Sequence, residues 1–221
     1  MELLEAMSRR HSVRSYIDAP LRPSQKAELR ACIEQCNRDG GLHIQLVTDE
    51  PEAFSSLTAR CAKFSGVSNY LALIGPDREG LEEKCGYHGE KLVLRAQQLG
   101  LNTCWAGATY AKNREAIRLA SGERLCLVVA VGHGRNQGEP HRSRKREEVM
   151  RTTGEVPAWF IRGVDAALLA PTAMNQQKFM FILEGNGVRA DPGRGFFTRV
   201  DLGIAKYHFE LGAGVNHFRW L

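Results

Sequence analysis

Two uninterrupted apolar runs decide most of what this chain can fold into. "LCLVVAVGHG", Leu125–Gly134, and "SNYLALIGP", Ser68–Pro76, lack the polar face of a surface helix and stop at glycine or proline. Runs of this length with abundant Val, Ile and Leu read as strands buried on both sides. The first is the strongest candidate for a buried strand, and the second, closed by Gly75 and Pro76, is expected to be a central strand.

Helical stretches surround them. Glu2–Arg10 forms a short amphipathic helix with Leu3, Leu4 and Met7 on one face. "APLRPSQKAELRACIEQC" supplies a proline turn and then Ser24 as the cap of a second helix. "LHIQLVTD", Leu42–Asp49, alternates apolar and polar residues as a half-buried strand does. Gly86–Gly107, "GYHGEKLVLRAQQLGLNTCWAG", reads as a long helix with Gly100 as its stop signal. "TTGEVPAW", Thr152–Trp159, resembles a linker into the last segment.

That last segment repeats an earlier pattern. Gly163–Leu183 reads as helix, turn and strand, as Lys26–Val47 does, and Val200–Trp220 echoes Cys85–Trp105. The shared order predicts an internal repeat, with strands Leu42–Thr48 and Phe179–Glu184 in equivalent places.

With 43% hydrophobic and 25% charged residues in 24.6 kDa, the chain is long enough to bury a substantial core without staples. Its first ten residues already mix Glu2, Glu5, Arg9 and Arg10, unlike a cleavable signal. No apolar run approaches the roughly 20 residues that span a bilayer. A cytoplasmic protein is the expectation. Cys32, Cys36, Cys61, Cys85, Cys104 and Cys126 include no C-x-x-C pair and no His/Cys cluster. They predict reduced thiols and no metal site.

The net charge of +5 is concentrated in places. "HRSRKREE", His141–Glu148, suits an anion clamp or a solvated loop. It lacks the interleaved aromatics of a nucleic-acid surface, so no nucleic-acid partner is expected. In "SRRHSVRSY", Ser8–Tyr16, Arg10, Ser12 and Arg14 alternate along an extended segment and so face one way. Guanidinium forks beside a hydroxyl suit a phosphate or a flavin ribityl chain. A basic turn complementing a helix C-terminus fits the same residues equally well. Near the end, "APTAMNQQKFMFIL", Ala170–Leu183, joins a proline turn rich in hydrogen-bonding side chains to an apolar strand. Isolated histidines such as His88, His133 and His208 read as structural, and no catalytic acid is assigned.

Taken together, "RRHSVRSY", "GLNTCWAG", "APTAMNQQ" and "RSRKREEV" resemble the FMN-dependent nitroreductase family. The resemblance implies an α+β nitroreductase-like fold, with a mixed, largely antiparallel sheet flanked by helices and an internal pseudo-two-fold. It implies that Arg9, Arg10, Ser12 and Arg14 meet the flavin phosphate and ribityl chain. Arg144 and Lys145, with Arg142 and Arg146 as further candidates, would add charge at the phosphate. Trp105, Ala106 and Gly107, in the loop after the long helix, would lie against the isoalloxazine ring. Pro171, Thr172, Ala173 and Asn175 would line the ring from the turn, which in the family comes from the partner of an obligate dimer.

The order departs from the family, because the turn follows the basic stretch that should close the protomer. Lys178 also stands where the family often has proline. Residues 1–150 therefore resemble one half carrying the phosphate motif, and 151–221 a truncated second half carrying the turn. A covalent pseudo-dimer with one FMN site is the expectation, as a monomer or weak homodimer. By the resemblance it takes electrons from NADH or NADPH and passes them to a small-molecule acceptor, a nitroaromatic or quinone. The alternative is a flavin- or phosphate-ligand-binding protein of the same fold without turnover.

Overall fold

The structure, a computed structural model, describes residues 1–56, 59, 61–107 and 116–221. They divide into two units, Met1–Leu81 with Lys91–Pro140, and Glu82–Glu90 with His141–Leu221. The first unit holds helices α1 (Leu3–Arg9) and α2 (Pro23–Gly40) and strands β1 (Gln45–Val47), β2 (Tyr70–Pro76), β3 (Asn102–Ala106) and β4 (Glu123–Gly132). Helix α3 (Leu81–Gln98) gives its first half to the second unit and its second half to the first.

The first sheet runs β1-β2-β4-β3, and every pair in it is antiparallel. Both apolar runs lie at its centre, where Tyr70 pairs with Ala130 and Ala72 with Val128. One apolar cluster gathers Tyr70, Ala72, Ile74, Val128 and Ala130 with Val13, Tyr16, Phe54 and Phe64. A second gathers Val131 with Leu29 of α2 and Ala96 of α3. Cover on both faces explains why these strands show no alternation.

Several boundaries differ from the sequence expectation, each for a local reason. Leu4 is exposed, and Ala6 and Met7 form the buried stripe of α1. Ser24 does not cap α2: Pro23, which has no N–H to leave unpaired, takes the first helical position, and the Gln25 side chain accepts from the Arg22 amide at 2.9 Å. β1 starts at Gln45, because the Asn37 side chain takes both backbone groups of Ile44 (2.7 and 3.0 Å). Helix α3 begins at Leu81 after Gly80 and ends at Gln98. Leu101 donates to the Ala96 carbonyl (2.9 Å) and Gly100 to that of Gln97 (3.0 Å). This is a Schellman stop with Gly100 left-handed (φ 73°), so the glycine was legible although the helix does not reach Gly107.

The second unit carries β5 (Met150–Thr152), α4 (Ala158–Ala167), β6 (Phe179–Glu184), β7 (Gly187–Pro192), α5 (Thr198–Ala213) and β8 (Arg219–Trp220). Its sheet runs β5-β6-β7-β8, with β6 and β7 antiparallel and both edge strands parallel to their neighbours. Phe160, Phe181, Phe209, Phe218 and Trp220 interlock beside it. Helices α3 and α5 cross where a Cβ on Gly86 would lie 2.0 Å from the Val200 carbonyl oxygen, and one on Gly203 equally close to that of Glu83. No other residue fits at either point. His208, fully buried, bridges the Ala166 carbonyl (3.0 Å) and the Glu90 carboxylate (2.9 Å), a structural role.

The structure does not show the expected repeat. The order helix, strand, strand, helix, strand recurs from α2 to β3 and from α4 to β8. In space, however, β1 is an edge strand while β6 has a partner on each side. β4 takes the place beside β2, and the second unit has no ten-residue strand to match it, so β8 joins β7 directly.

Candidate functional site

The arginine segment is held by its backbone. Arg10 donates its amide to the Ala6 carbonyl (2.9 Å), closing α1, and then turns extended. Ser12 lies beside Thr103 of β3 in a parallel bridge, and Val13 donates to the Thr103 carbonyl at 3.0 Å. Ser65 brackets the chain by donating to Arg14 (3.0 Å) and accepting from Tyr16 (2.9 Å). Gly66 makes that approach possible, since a Cβ there would lie 2.4 Å from the Tyr16 carbonyl oxygen. Val13 and Tyr16 enter the core, and the Tyr16 hydroxyl donates to the Val13 carbonyl at 2.7 Å.

The buried Cys104 follows Thr103, the residue that Ser12 bridges. Burial pushes the Cys104 thiol of β3 up from its ordinary range; Arg14, a hydrogen bond with Ser12, and Arg10 each pull it back. Arg10, Ser12 and Arg14 alternate along this extended segment, a spacing that sets alternate side chains on one side of it. Arg10 is buried, Ser12 half-buried and Arg14 exposed. Arg14 forms no ion pair with a carboxylate among the described residues, which leaves its guanidinium fork available to an anion. This donor set fits the phosphate end of a flavin nucleotide. Arg9 does not join them: it is exposed and pairs with Glu5 at 2.9 Å along α1.

Trp105 and Ala106 belong to β3, opposite Val129 and Val128, and Gly107 follows the strand. The sequence pattern runs the long helix as far as Gly107, and the resemblance puts these residues in the loop after it. Ladder pairing to the long apolar β4 draws the stretch into the sheet. Trp105 is half-buried and Ala106 buried.

In the second unit the late turn and the basic stretch come together. Gln177, buried, accepts from the Arg144 amide (2.8 Å) and donates to the Arg142 carbonyl (2.9 Å) and the Asn175 side-chain oxygen (2.8 Å). Asn175 donates to the same Arg142 carbonyl at 2.9 Å. The Thr172 hydroxyl accepts from the Gln177 amide at 3.0 Å. Met174, Asn175 and Gln177 all have left-handed backbones (φ 50°, 53° and 45°), a strained arrangement for side chains other than glycine. The hydroxyl, asparagine and Gln177 thus spend hydrogen bonds on the turn itself and on the backbone of the basic stretch. Pro171 is buried, and Thr172 and Ala173 are half-buried.

Arg142, Arg144 and Lys145 are exposed and, among the described residues, form no ion pair with a carboxylate. Arg146 differs, because its guanidinium grips Asp165 (2.8 Å).

Sequence reasoning missed Asp201. Its buried carboxylate accepts from the Ala173 amide (2.9 Å) and the Gln176 side chain (2.7 Å) and so anchors the turn. Burial lifts its pKa to about 6 against the pull of those two bonds. The only hint in "TRVDLG" is an acid in the first turn of a helix, which a dipole argument already explains. Among the described residues no cluster of three or more His, Cys, Asp or Glu could hold a metal, and no helix is long and apolar enough to cross a membrane.

A family model described as "Putative TM nitroreductase" matches residues 2–213. Among solved structures, one described as a putative nitroreductase from Thermotoga maritima MSB8 superposes with a TM-score of 0.62 at 20% identity, covering 96% of this chain and 83% of that one. A second, described as a putative NADH dehydrogenase/NAD(P)H nitroreductase from Parabacteroides distasonis ATCC 8503, gives 0.53 at 21% identity over 66% of this chain and 95% of that one. The NfrA1 nitroreductase of Bacillus subtilis gives 0.55 at 15% identity over 74% and 79%. At these identities the likeness is one of fold, and it bears out the α+β class. A search of curated proteins returns no match.

Proposed function

The chain belongs to the family described as "Putative TM nitroreductase", and from that premise we propose that it is an FMN-dependent oxidoreductase passing electrons from NADH or NADPH to a nitroaromatic or quinone-like acceptor. The observation that supports this reading is the bridge that sets Ser12, between Arg10 and Arg14 in the chain, beside Thr103 of β3, the strand that runs on through Cys104 to Trp105 and Ala106. FMN, when bound, supplies the hydride and electron chemistry, so the protein's share is binding, orientation and tuning.

In this reading Arg10 and Arg14 neutralise the phosphate with charge-assisted hydrogen bonds, and Ser12 adds a hydroxyl toward the ribityl chain. Trp105, Ala106 and Gly107, which continue the strand carrying Cys104, are the same unit's candidates for the ring. Their edge is rigid because β3 is laddered to β4. In the second unit Arg144 and Lys145 are the candidates for an anion, and Pro171, Thr172 and Ala173 belong to the turn that Gln177 ties to the Arg144 amide. Asn175 is already committed to Arg142 and Gln177, so its proposed ring contact requires exchanging a bond it now makes.

That commitment favours a second reading, a flavin- or phosphate-ligand-binding protein that keeps the phosphate grip without turnover. One experiment separates the two. Protein reconstituted with FMN should bleach when titrated anaerobically with NADH or NADPH and recover its absorbance on adding a quinone. Tight FMN binding with no bleaching by either donor supports the second reading. Protein that never takes up FMN contradicts both.

A further inference from the structure

Helix α2 carries two thiols that the oxidoreductase reading leaves unused. Cys32 and Cys36 are four residues apart, one helical turn, on the stripe that also holds Glu28. Opposite them runs the second half of α3, where Arg95 pairs with Glu28 at 2.6 Å and Lys91 lies one turn earlier. The stripe Glu28–Cys32–Cys36 therefore faces Arg95 and Lys91. Cys36 is buried, whereas Cys32 is half-buried and open to small reagents.

We propose that Cys32 is a peroxide-reactive modification site and that Cys36 is its resolving partner. The Cys32 thiolate attacks the distal oxygen of a hydroperoxide, the O–O bond breaks, and the alkoxide leaves as the alcohol after taking up a proton. The Cys36 sulfur then attacks the Cys32 sulfenic sulfur, its proton leaves with the hydroxide as water, and an S–S bond forms. Two thiols are oxidised by two electrons and one hydroperoxide is reduced to alcohol and water.

The surroundings favour each step. A hydrogen bond from Cys36, with Arg95 and Lys91 nearby, holds the Cys32 thiol down to about 7, while the same bond and burial push Cys36 up, with Asp39 adding to the rise. A thiolate that is partly accessible, near cations and beside a second thiol is the combination that oxidants select. The exposed Cys61 is the natural competitor, since accessibility alone would favour it.

Closure also has a structural consequence. Residues four apart on a helix hold their Cβ atoms about 5–6 Å apart, whereas a disulfide needs about 3.5–4.5 Å. The bond must pull in the last turn of α2, which ends at Gly40. Asn37 lies in that turn and holds both backbone groups of Ile44 ahead of β1. Oxidation should therefore loosen the entry to β1.

The test uses the full-length protein and hydrogen peroxide. Trypsin releases Ala31–Arg38 with both thiols, so an internal disulfide makes that peptide lighter by two hydrogen atoms. The expected result is that wild-type protein shows this loss before Cys61 reacts. Cys36→Ser should instead accumulate a Cys32 sulfenic acid trapped by dimedone, and Cys32→Ser should leave Cys36 unmodified. The oxidation rate should rise with pH through about 7 in wild type, and at higher pH in Cys36→Ser. Oxidation of Cys61 with an unchanged Ala31–Arg38 peptide would overturn the assignment of Cys32. A persistent Cys32 adduct in wild type without the internal disulfide would overturn the resolving role of Cys36.

Discussion

The segment Arg10–Tyr16 and the turn Ala170–Lys178 are both short, polar and pressed against a strand, yet they use their side chains in opposite ways. The first is fixed by backbone bonds to Thr103 and Ser65, so Arg14 needs no bond of its own to keep the chain in place. The second has a strained, left-handed backbone at Met174, Asn175 and Gln177, and holds it with the side chains of Thr172, Asn175, Gln176 and Gln177. Polar side chains are available to a ligand where the backbone is satisfied by other backbone. Where they must satisfy the backbone themselves, the same residue types are structure.

The largest effect that could break this contrast lies in the arginine segment. Arg10→Ala combined with Arg14→Ala should weaken FMN binding by about 1.5–3 kcal/mol for each charge-assisted bond lost, which is tenfold or more per residue. Isothermal titration checks it, with circular dichroism confirming that removal of the buried Arg10 leaves the fold intact. Unchanged affinity would move the phosphate to Arg144 and Lys145, and the contrast between the regions would fail.

A pH experiment sharpens the other side. The Asp201 carboxyl, at about 6, lies above its ordinary value because burial disfavours its charge. Between about 4 and about 6 the folded state keeps a proton that the unfolded chain has released. Its contribution is therefore greatest below that window, declines as pH rises through it, and levels off above. The change is on the order of 2–3 kcal/mol at about 1.4 kcal/mol per unit. Urea unfolding of wild type against Asp201→Asn should show this slope in the difference; parallel curves would remove Asp201 as the buried anchor.

Gln177→Ala comes next. It removes the acceptor of the Arg144 amide and one of the donors to the Arg142 carbonyl, and should cost about 1–3 kcal/mol of stability.

Much of the architecture was legible because it follows from rules that act locally. Two apolar runs gave the central strands, and Gly100 marked the end of α3. The extended course of Arg10–Tyr16 was legible because alternation along a chain needs no tertiary information, and the bridge of Ser12 to Thr103 is what the structure adds. What escaped depended on distant partners. Nothing near Leu42 announces that Asn37 claims the backbone of Ile44 and shortens β1. Nothing in "APTAMNQQ" says that the Arg142 carbonyl will occupy the asparagine, or that Asp201 will reach the Ala173 amide. The expected repeat is not shown for a similar reason: the order of elements recurs along the chain, but the second sheet is not completed by a strand like β4.

The smallest expected effect completes the comparison. Asn175→Ala removes one donor to Arg142 and one acceptor for Gln177, and should lower stability by about 0.5–1.5 kcal/mol. The most direct test sets that variant beside Arg14→Ala and measures FMN affinity and melting temperature for both. Arg14→Ala should lose at least about tenfold in affinity while melting as wild type does, since one charge-assisted bond is lost and no backbone group is orphaned. Asn175→Ala should melt lower with its FMN affinity unchanged. The reverse pattern, a ligand defect at Asn175 and a folding defect at Arg14, would contradict the account.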